Sequence, residues 1–184
     1  DTTALLWDLR GDTPGRRLEG HEFWVRAVAF TPDSRFVLTG GTDNVAMFWD
    51  VVSARRILQL KGHSGAVNAV AISPDGVLAA TGANDGHAIL WDLFSGRKVQ
   101  DFSLGDVPVT ALACSPDGKQ ILTGSGDGRA RLWDIAEGHV TVHLIGHVKP
   151  LVACIFLADG QRVVTASVDG SVNFWDRVSG TLLV

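Results

Sequence analysis

Along much of the chain, apolar and polar positions alternate in short runs, as in Val67-Asn68-Ala69-Val70-Ala71-Ile72. A period of two over six residues is that of a β-strand. The turn sequence Ser73-Pro74-Asp75-Gly76 follows, with proline at the second position and glycine at the last, and a second strand is predicted over Val77 to Thr81. Gly82-Ala83-Asn84-Asp85-Gly86 is a tight turn, and His87 to Asp92 makes a third strand. After the loop Leu93 to Arg97, Lys98 to Leu104 makes a fourth, its Val99, Phe102 and Leu104 only loosely alternating. No segment combines a sustained 3.6-residue apolar period with capping residues, so almost no helix is expected.

The same pattern returns along the chain. Trp-Asp stands at Trp7-Asp8, Trp49-Asp50, Trp91-Asp92, Trp133-Asp134 and Trp175-Asp176, each pair 42 residues after the last, and only Trp24 lies outside the series. Gly20-His21, Gly62-His63 and Gly146-His147 keep this register. So do Thr31-Pro32-Asp33, Ser73-Pro74-Asp75 and Ser115-Pro116-Asp117, and the four threonines Thr39, Thr81, Thr123 and Thr165. A period of this size means one supersecondary unit whose apolar faces are buried only when neighbours stack.

With Gly-His opening a unit and Trp-Asp closing its third strand, the chain closely resembles the WD-repeat (WD40) β-propeller family over nearly its whole length. The resemblance implies an all-β propeller of four-stranded antiparallel blades, each with its first strand on a central channel and its fourth at the rim. A partial blade would span 1–19 and complete blades about 20–61, 62–103, 104–145 and 146–184. Asp1 has the same offset from Trp7 as Asp43 has from Trp49, so the partial unit is expected to hold only a third and a fourth strand, and the last unit all four. Family propellers commonly close with seven blades, so about four and a half blades are expected to be a segment of a larger propeller, seven-bladed or longer.

The family's structural hydrogen-bond tetrad maps onto His21, Thr39, Asp43 and Trp49, onto His63, Thr81, Asp85 and Trp91, and onto His147, Thr165, Asp169 and Trp175. The remaining unit has Thr123, Asp127 and Trp133, but Leu104-Gly105 stands where Gly-His belongs, and a looser loop is expected there. Restoring Gly-His should add stability if that loop can take the family geometry.

Composition narrows the function. The formal charge is −4, and no basic cluster is longer than Arg55-Arg56, so the footprint of a phosphate-backbone binder is missing and no nucleic acid is expected. Cys114 and Cys154 lie in apolar runs and read as buried free thiols, which fits a reducing intracellular compartment, cytoplasm or nucleus. Uncharged stretches such as Ser64 to Pro74 are too short to cross a bilayer, and no basic-then-apolar leader opens the chain, so no membrane association is expected.

Thr, His and Asp are also the residue types of a nucleophile, a base and its orienting partner. Here the trio recurs in three units at one spacing, whereas an enzyme builds one nucleophilic centre, so the structural role is preferred and no enzyme activity is expected. Gly124-Ser125-Gly126-Asp127-Gly128 resembles a phosphate-cradling loop but lacks the lysine and the following helix. His139, His143 and His147 are spaced by four on a strand and loop, which separates the outer two by over ~25 Å if extended, too far to share a metal ion. No cofactor and no metal are expected.

Family propellers most often bind partners where loops converge at the channel mouth. The matching positions are Trp24, Arg26 and Thr42; Ala66, Asn68 and Asn84; Pro108, Thr110 and Gly126; and Pro150, Val152 and Val168. Trp24 stands beside Phe23 and two residues before Arg26, the aromatic-plus-arginine composition of an interface hot spot. The expected function is a non-catalytic scaffold binding proteins or peptides within a multiprotein complex. The alternative is a sensor or regulatory propeller controlling an enzymatic domain outside this chain, which flanking sequence would reveal. Open terminal blades would expose apolar faces and a strand edge, so self-association is expected of the isolated piece.

Overall fold

The computed structural model describes residues 1–9, 11 and 15–184; residues 10 and 12–14, within the partial first unit, lie outside the description. Among the described residues, seventeen strands form five antiparallel sheets. β1 (Thr3–Leu6) and β2 (Arg16–Glu19) pair alone. The first complete blade is β3 (Val25–Phe30), β4 (Phe36–Gly41), β5 (Val45–Asp50) and β6 (Arg56–Lys61), hydrogen-bonded in that order. The second is β7 (Val67–Ile72), β8 (Leu78–Ala83), β9 (His87–Asp92) and β10 (Lys98–Ser103), and the third is β11 (Val109–Cys114), β12 (Gln120–Ser125), β13 (Arg129–Asp134) and β14 (Val140–Ile145). The last sheet has three strands, β15 (Leu151–Phe156), β16 (Arg162–Ser167) and β17 (Val172–Asp176).

The four strands expected for the last unit are therefore three. After the turn at Gly180 a fourth strand is only begun: Leu182 bridges Trp175, the Leu183 amide donates to the Phe174 carbonyl, and the Phe174 amide donates to the Val184 carbonyl. In the second blade, β8 reaches Ala83 rather than stopping at Thr81, because Gly82 and Ala83 still pair with Ala69 and Val67. β10 ends at Ser103, since the Leu104 amide is taken by the Gly86 carbonyl at 2.8 Å.

The first strands β3, β7, β11 and β15 lie side by side, and the core sits between blades rather than within them. Leu38, Ala46, Phe48 and Leu60 of the first complete blade pack with Ala79, Ile89 and Trp91 of the second. Ala80, Ala88, Leu90 and Phe102 then meet Val109, Ile121 and Trp133 of the third. Leu122, Ala130, Leu132 and Leu144 meet Leu151, Cys154, Val163 and Trp175 of the last. The approach is close enough that a Cβ on Gly40 would stand 2.6 Å from Val67 Cγ1, and one on Gly82 2.4 Å from Val109 Cγ1. Any larger residue would wedge the sheets apart.

Three turn positions per blade are left-handed. In the second blade they are Gly76, Gly86 and Gly96, and in the third Gly118, Gly128 and Gly138, but in the first complete blade they are Ser34, Asn44 and Ala54, with φ of 59°, 67° and 54°. Asparagine tolerates this region; serine and alanine do so at a cost. Ser34→Gly and Ala54→Gly are each expected to raise stability by about 0.5 to 1 kcal/mol, the relieved strain being offset in part by the greater freedom of glycine in the unfolded chain. Urea denaturation reads this, and an unchanged or lowered midpoint for Ser34→Gly would show that its turn carries no strain.

Candidate functional site

In the first two complete blades and in the last sheet, a polar chain runs from the buried tryptophan to a carboxylate. In the first complete blade the Trp49 indole donates to Thr39 Oγ1 at 2.8 Å, Thr39 Oγ1 lies 2.7 Å from His21 Nε2, and His21 Nδ1 lies 2.8 Å from Asp43. Because the indole can only donate and the carboxylate only accept, one direction satisfies every atom of a neutral imidazole: the Thr39 hydroxyl donates to Nε2, and Nδ1–H donates to Asp43. The second blade repeats it, with Trp91 to Thr81 at 2.8 Å, Thr81 to His63 at 2.8 Å and His63 to Asp85 at 2.9 Å. Asp43 and Asp85 also accept the Glu22 and Ser64 amides, which pins the chain entering each blade to its second-to-third-strand turn. Burial opposes ionisation of Asp85, but the Ser64 amide and the His63 ring outweigh it and hold the carboxyl below its usual range.

In the last blade His147 Nδ1 sits 2.8 Å from Ser171 Oγ and 3.2 Å from Asp169, while Nε2 keeps Thr165 at 2.8 Å and Trp175 donates to Thr165 at 2.8 Å. The Ser171 hydroxyl and amide hold the Asp169 carboxyl well below its ordinary value.

The third blade differs. Trp133 donates to Thr123 at 2.9 Å, but Asp127 is bound by Arg131, whose guanidinium donates to Asp127 Oδ2 and to Ser125 Oγ, both at 2.8 Å. The donor to the aspartate that this blade lacks in its entering loop comes from β13, where the equivalent residues are Met47, Ile89 and Asn173. The entry loop here takes another course: Gly105, at φ 75°, seats its carbonyl so close to Gly86 that a Cβ there would collide with it. Arg131 is the residue that sequence reasoning missed; an arginine in a strand position otherwise apolar or uncharged was its only signal.

All four tetrad threonines are 0% exposed, so none of their hydroxyls can reach a substrate. Among the described residues, no three His, Cys, Asp or Glu side chains gather into a metal site. Burial pushes the thiols of both Cys114 and Cys154 up to about 12, which leaves neither reactive. No helix among the described residues is long and apolar enough to cross a membrane.

The channel-mouth positions are brought together by a backbone device. Each inner strand is bulged between its first and third residues, at Val25/Ala27, Val67/Ala69, Val109/Ala111 and Leu151/Ala153. The extra residue is Arg26, Asn68, Thr110 or Val152, and a bulge re-aims its side chain away from the regular ladder. Two residues earlier, the carbonyls of Trp24, Ala66, Pro108 and Pro150 accept the amides of Thr42, Asn84, Gly126 and Val168 at 2.8 to 3.1 Å. Each blade therefore presents its three mouth residues as one cluster. Arg26, Asn68, Asn84, Thr110, Pro150, Leu151 and Val152 line a shared depression of about 390 Å³ spanning four blades. Phe23, Trp24, Arg26 and Thr42 line a second of about 270 Å³, so Arg26 borders both. Val168 stands exposed beside Pro150 without lining either. A further depression of about 340 Å³ near Gln120, Gly160 and Arg177 is a clasp between blades, since Arg177 is already committed to Asp117, Gln120 and the Gly160 carbonyl.

His63→Ala is expected to destabilise the chain by about 1 to 3 kcal/mol, because it strands the Asp85 and Thr81 partners inside the blade. Gly105→His, in contrast with the gain expected from sequence, should lower stability: its backbone is left-handed and Asp127 already holds Arg131. Urea melts of both variants check this, and a raised midpoint for Gly105→His would mean that an imidazole displaces Arg131 without strain.

Four stretches of the chain, residues 12–50, 54–92, 97–134 and 138–176, match the family model described as WD domain, G-beta repeat. Over 45 residues the chain is also 40% identical to the nuclear distribution protein PAC1 of Coccidioides posadasii (strain C735), a match covering 24% of this chain and 10% of that protein. The repeat model covers most of the sequence, each matched stretch contains a tetrad tryptophan, and the sheets are antiparallel blades with inner strands side by side: the chain belongs to the WD-repeat (WD40) family of β-propeller proteins.

Proposed function

We propose that this chain is a non-catalytic scaffold that binds a protein or peptide partner at the channel mouth, around Trp24, Arg26, Thr42, Asn68, Asn84, Thr110, Pro150 and Val168. The observation that carries the reading is the exposure of two neighbouring aromatic rings, Phe23 at 59% and Trp24 at 63%, beside the guanidinium that borders both depressions. Every tetrad tryptophan of the complete blades is buried, so Trp24 is not serving that packing role. Exposed tryptophan next to arginine supplies large, rigid contact area at low entropic cost, the composition of an interface anchor.

Affinity capture from a cell extract, run with the chain and with a Trp24→Ala/Arg26→Ala double variant of equal thermal stability, tests the reading. Partners lost from the variant are the expected result. An unchanged partner set would move the binding surface away from this mouth.

A second association is favoured by the exposed sheet faces. Val28 and Phe30 occupy on β3 the positions of Val70 and Ile72, which pack on the preceding blade, yet they are 59% and 53% exposed. Val164, Val172 and Phe174 occupy the positions of Leu38, Ala46 and Phe48, the surface on which such residues pack. We propose that isolated copies pair these unlike faces head to tail, a heterologous contact. Sedimentation velocity should show mass rising with concentration and Val28→Glu/Phe30→Glu abolishing the rise; a concentration-independent monomer sinks this proposal.

A further inference from the structure

Resting on the channel mouth proposed above, the inference here concerns what chemistry that mouth accepts. Among the described residues, Arg26 is the sole ionic side chain lining the two adjoining depressions, which otherwise hold amides, hydroxyls, proline and apolar groups. Its guanidinium has no hydrogen bond or ion pair among the described residues, whereas Arg131, Arg162 and Arg177 all hold carboxylates. Asn84 accepts the Asn68 amide at 2.7 Å through its oxygen, which leaves its own two N–H groups unused, and it lines the same depression as Arg26. Asn68 spends its second N–H on the Val109 carbonyl at 3.1 Å, so its oxygen remains an acceptor. The lining therefore offers a surplus of donors with one net positive charge, next to an apolar crevice formed by Phe23 and Trp24.

We infer that the mouth takes an extended peptide segment carrying a glutamate or aspartate side chain against Arg26 and Asn84, with an adjacent aromatic or aliphatic side chain in the Phe23–Trp24 crevice. A guanidinium fork and a primary amide match the two oxygens of a carboxylate, and a cationic partner would meet Arg26 as a like charge. Asn68 accepts a backbone N–H of the segment, which orders it along the depression without adding charge. Thr110, whose hydroxyl donates to the Gly124 carbonyl at 3.2 Å, keeps lone pairs for the same purpose.

The test uses fluorescence polarisation with capped, labelled heptapeptides in which two glutamates flank a phenylalanine, a counterpart with both glutamates changed to glutamine, and the glutamine form with a free C-terminal carboxylate. The glutamate peptide is expected to bind saturably and at least about tenfold more tightly than the glutamine peptide, with the difference shrinking as salt is raised and vanishing in Arg26→Gln. Arg26 is exposed and unpaired, so this variant keeps the fold, and an unchanged thermal midpoint verifies it. Equal binding of the glutamate and glutamine peptides overturns the inference, as does a charge preference that survives Arg26→Gln. Equal binding of the free C-terminal peptide would assign the carboxylate to a chain terminus and also overturn it. Absence of saturation up to about 1 mM does the same. If captured partners still depend on Trp24 while the peptides show no charge preference, the channel-mouth reading stands and only its acidic specificity fails.

Discussion

A four-stranded sheet with apolar residues on both faces cannot stand alone in water, and this chain solves the problem by repetition. Each of its hydrophobic clusters combines side chains from two neighbouring sheets: Leu18 with Met47 and Trp49, Phe48 with Ile89, Leu90 with Trp133, and Leu132 with Trp175. Burial is a property of the neighbour pair rather than of the blade. The repeated tryptophans show it: Trp49, Trp91, Trp133 and Trp175 are each buried in a cluster shared with the preceding sheet. The close contacts at Gly40 and Gly82 belong to the same constraint, because only a bare backbone lets the inner strand of the next blade come near enough to seal the interface.

Stacking fixes the inner strands side by side but leaves their polar groups to be accounted for. The Trp–Thr–His–Asp chain satisfies four side chains in sequence and ties the entry loop to a turn about twenty residues later, so that each blade holds its shape while offering its faces to its neighbours. The third blade satisfies its aspartate through Arg131, which answers Asp127 from within the sheet rather than from the entry loop. What the position demands is a donor to the aspartate, and imidazole, guanidinium and the Ser171 hydroxyl each supply one.

The mouth of the inner strands is a by-product of the same geometry. A bulge at the second residue of each inner strand relieves the ladder where the strands converge and turns Arg26, Asn68, Thr110 and Val152 toward a common depression. Because four blades each contribute one such position, the surface carries a combination of side chains that no single repeat contains. Repeats that are equivalent as packing units thus differ as recognition units: arginine, asparagine, threonine and valine occupy one structural position.

The 42-residue period, the strand alternation and the turn residues are local features, and they determined from sequence alone the number and order of strands in the complete blades and the identity of three tetrads. The tetrad histidines were legible because a fixed spacing repeated in three units leaves little room for another assignment. Tertiary structure decided which partner answers Asp127: the arginine at position 131, where the other units carry Met47, Ile89 and Asn173, is a sequence signal, but only the folded sheet shows its guanidinium turned onto Asp127. It also decided that Arg26 lines one depression with Asn68, Asn84, Thr110 and Pro150. Those residues are separated by up to three repeats, and no local propensity encodes their meeting; stacking of the sheets and the bulges in the inner strands bring them to one place.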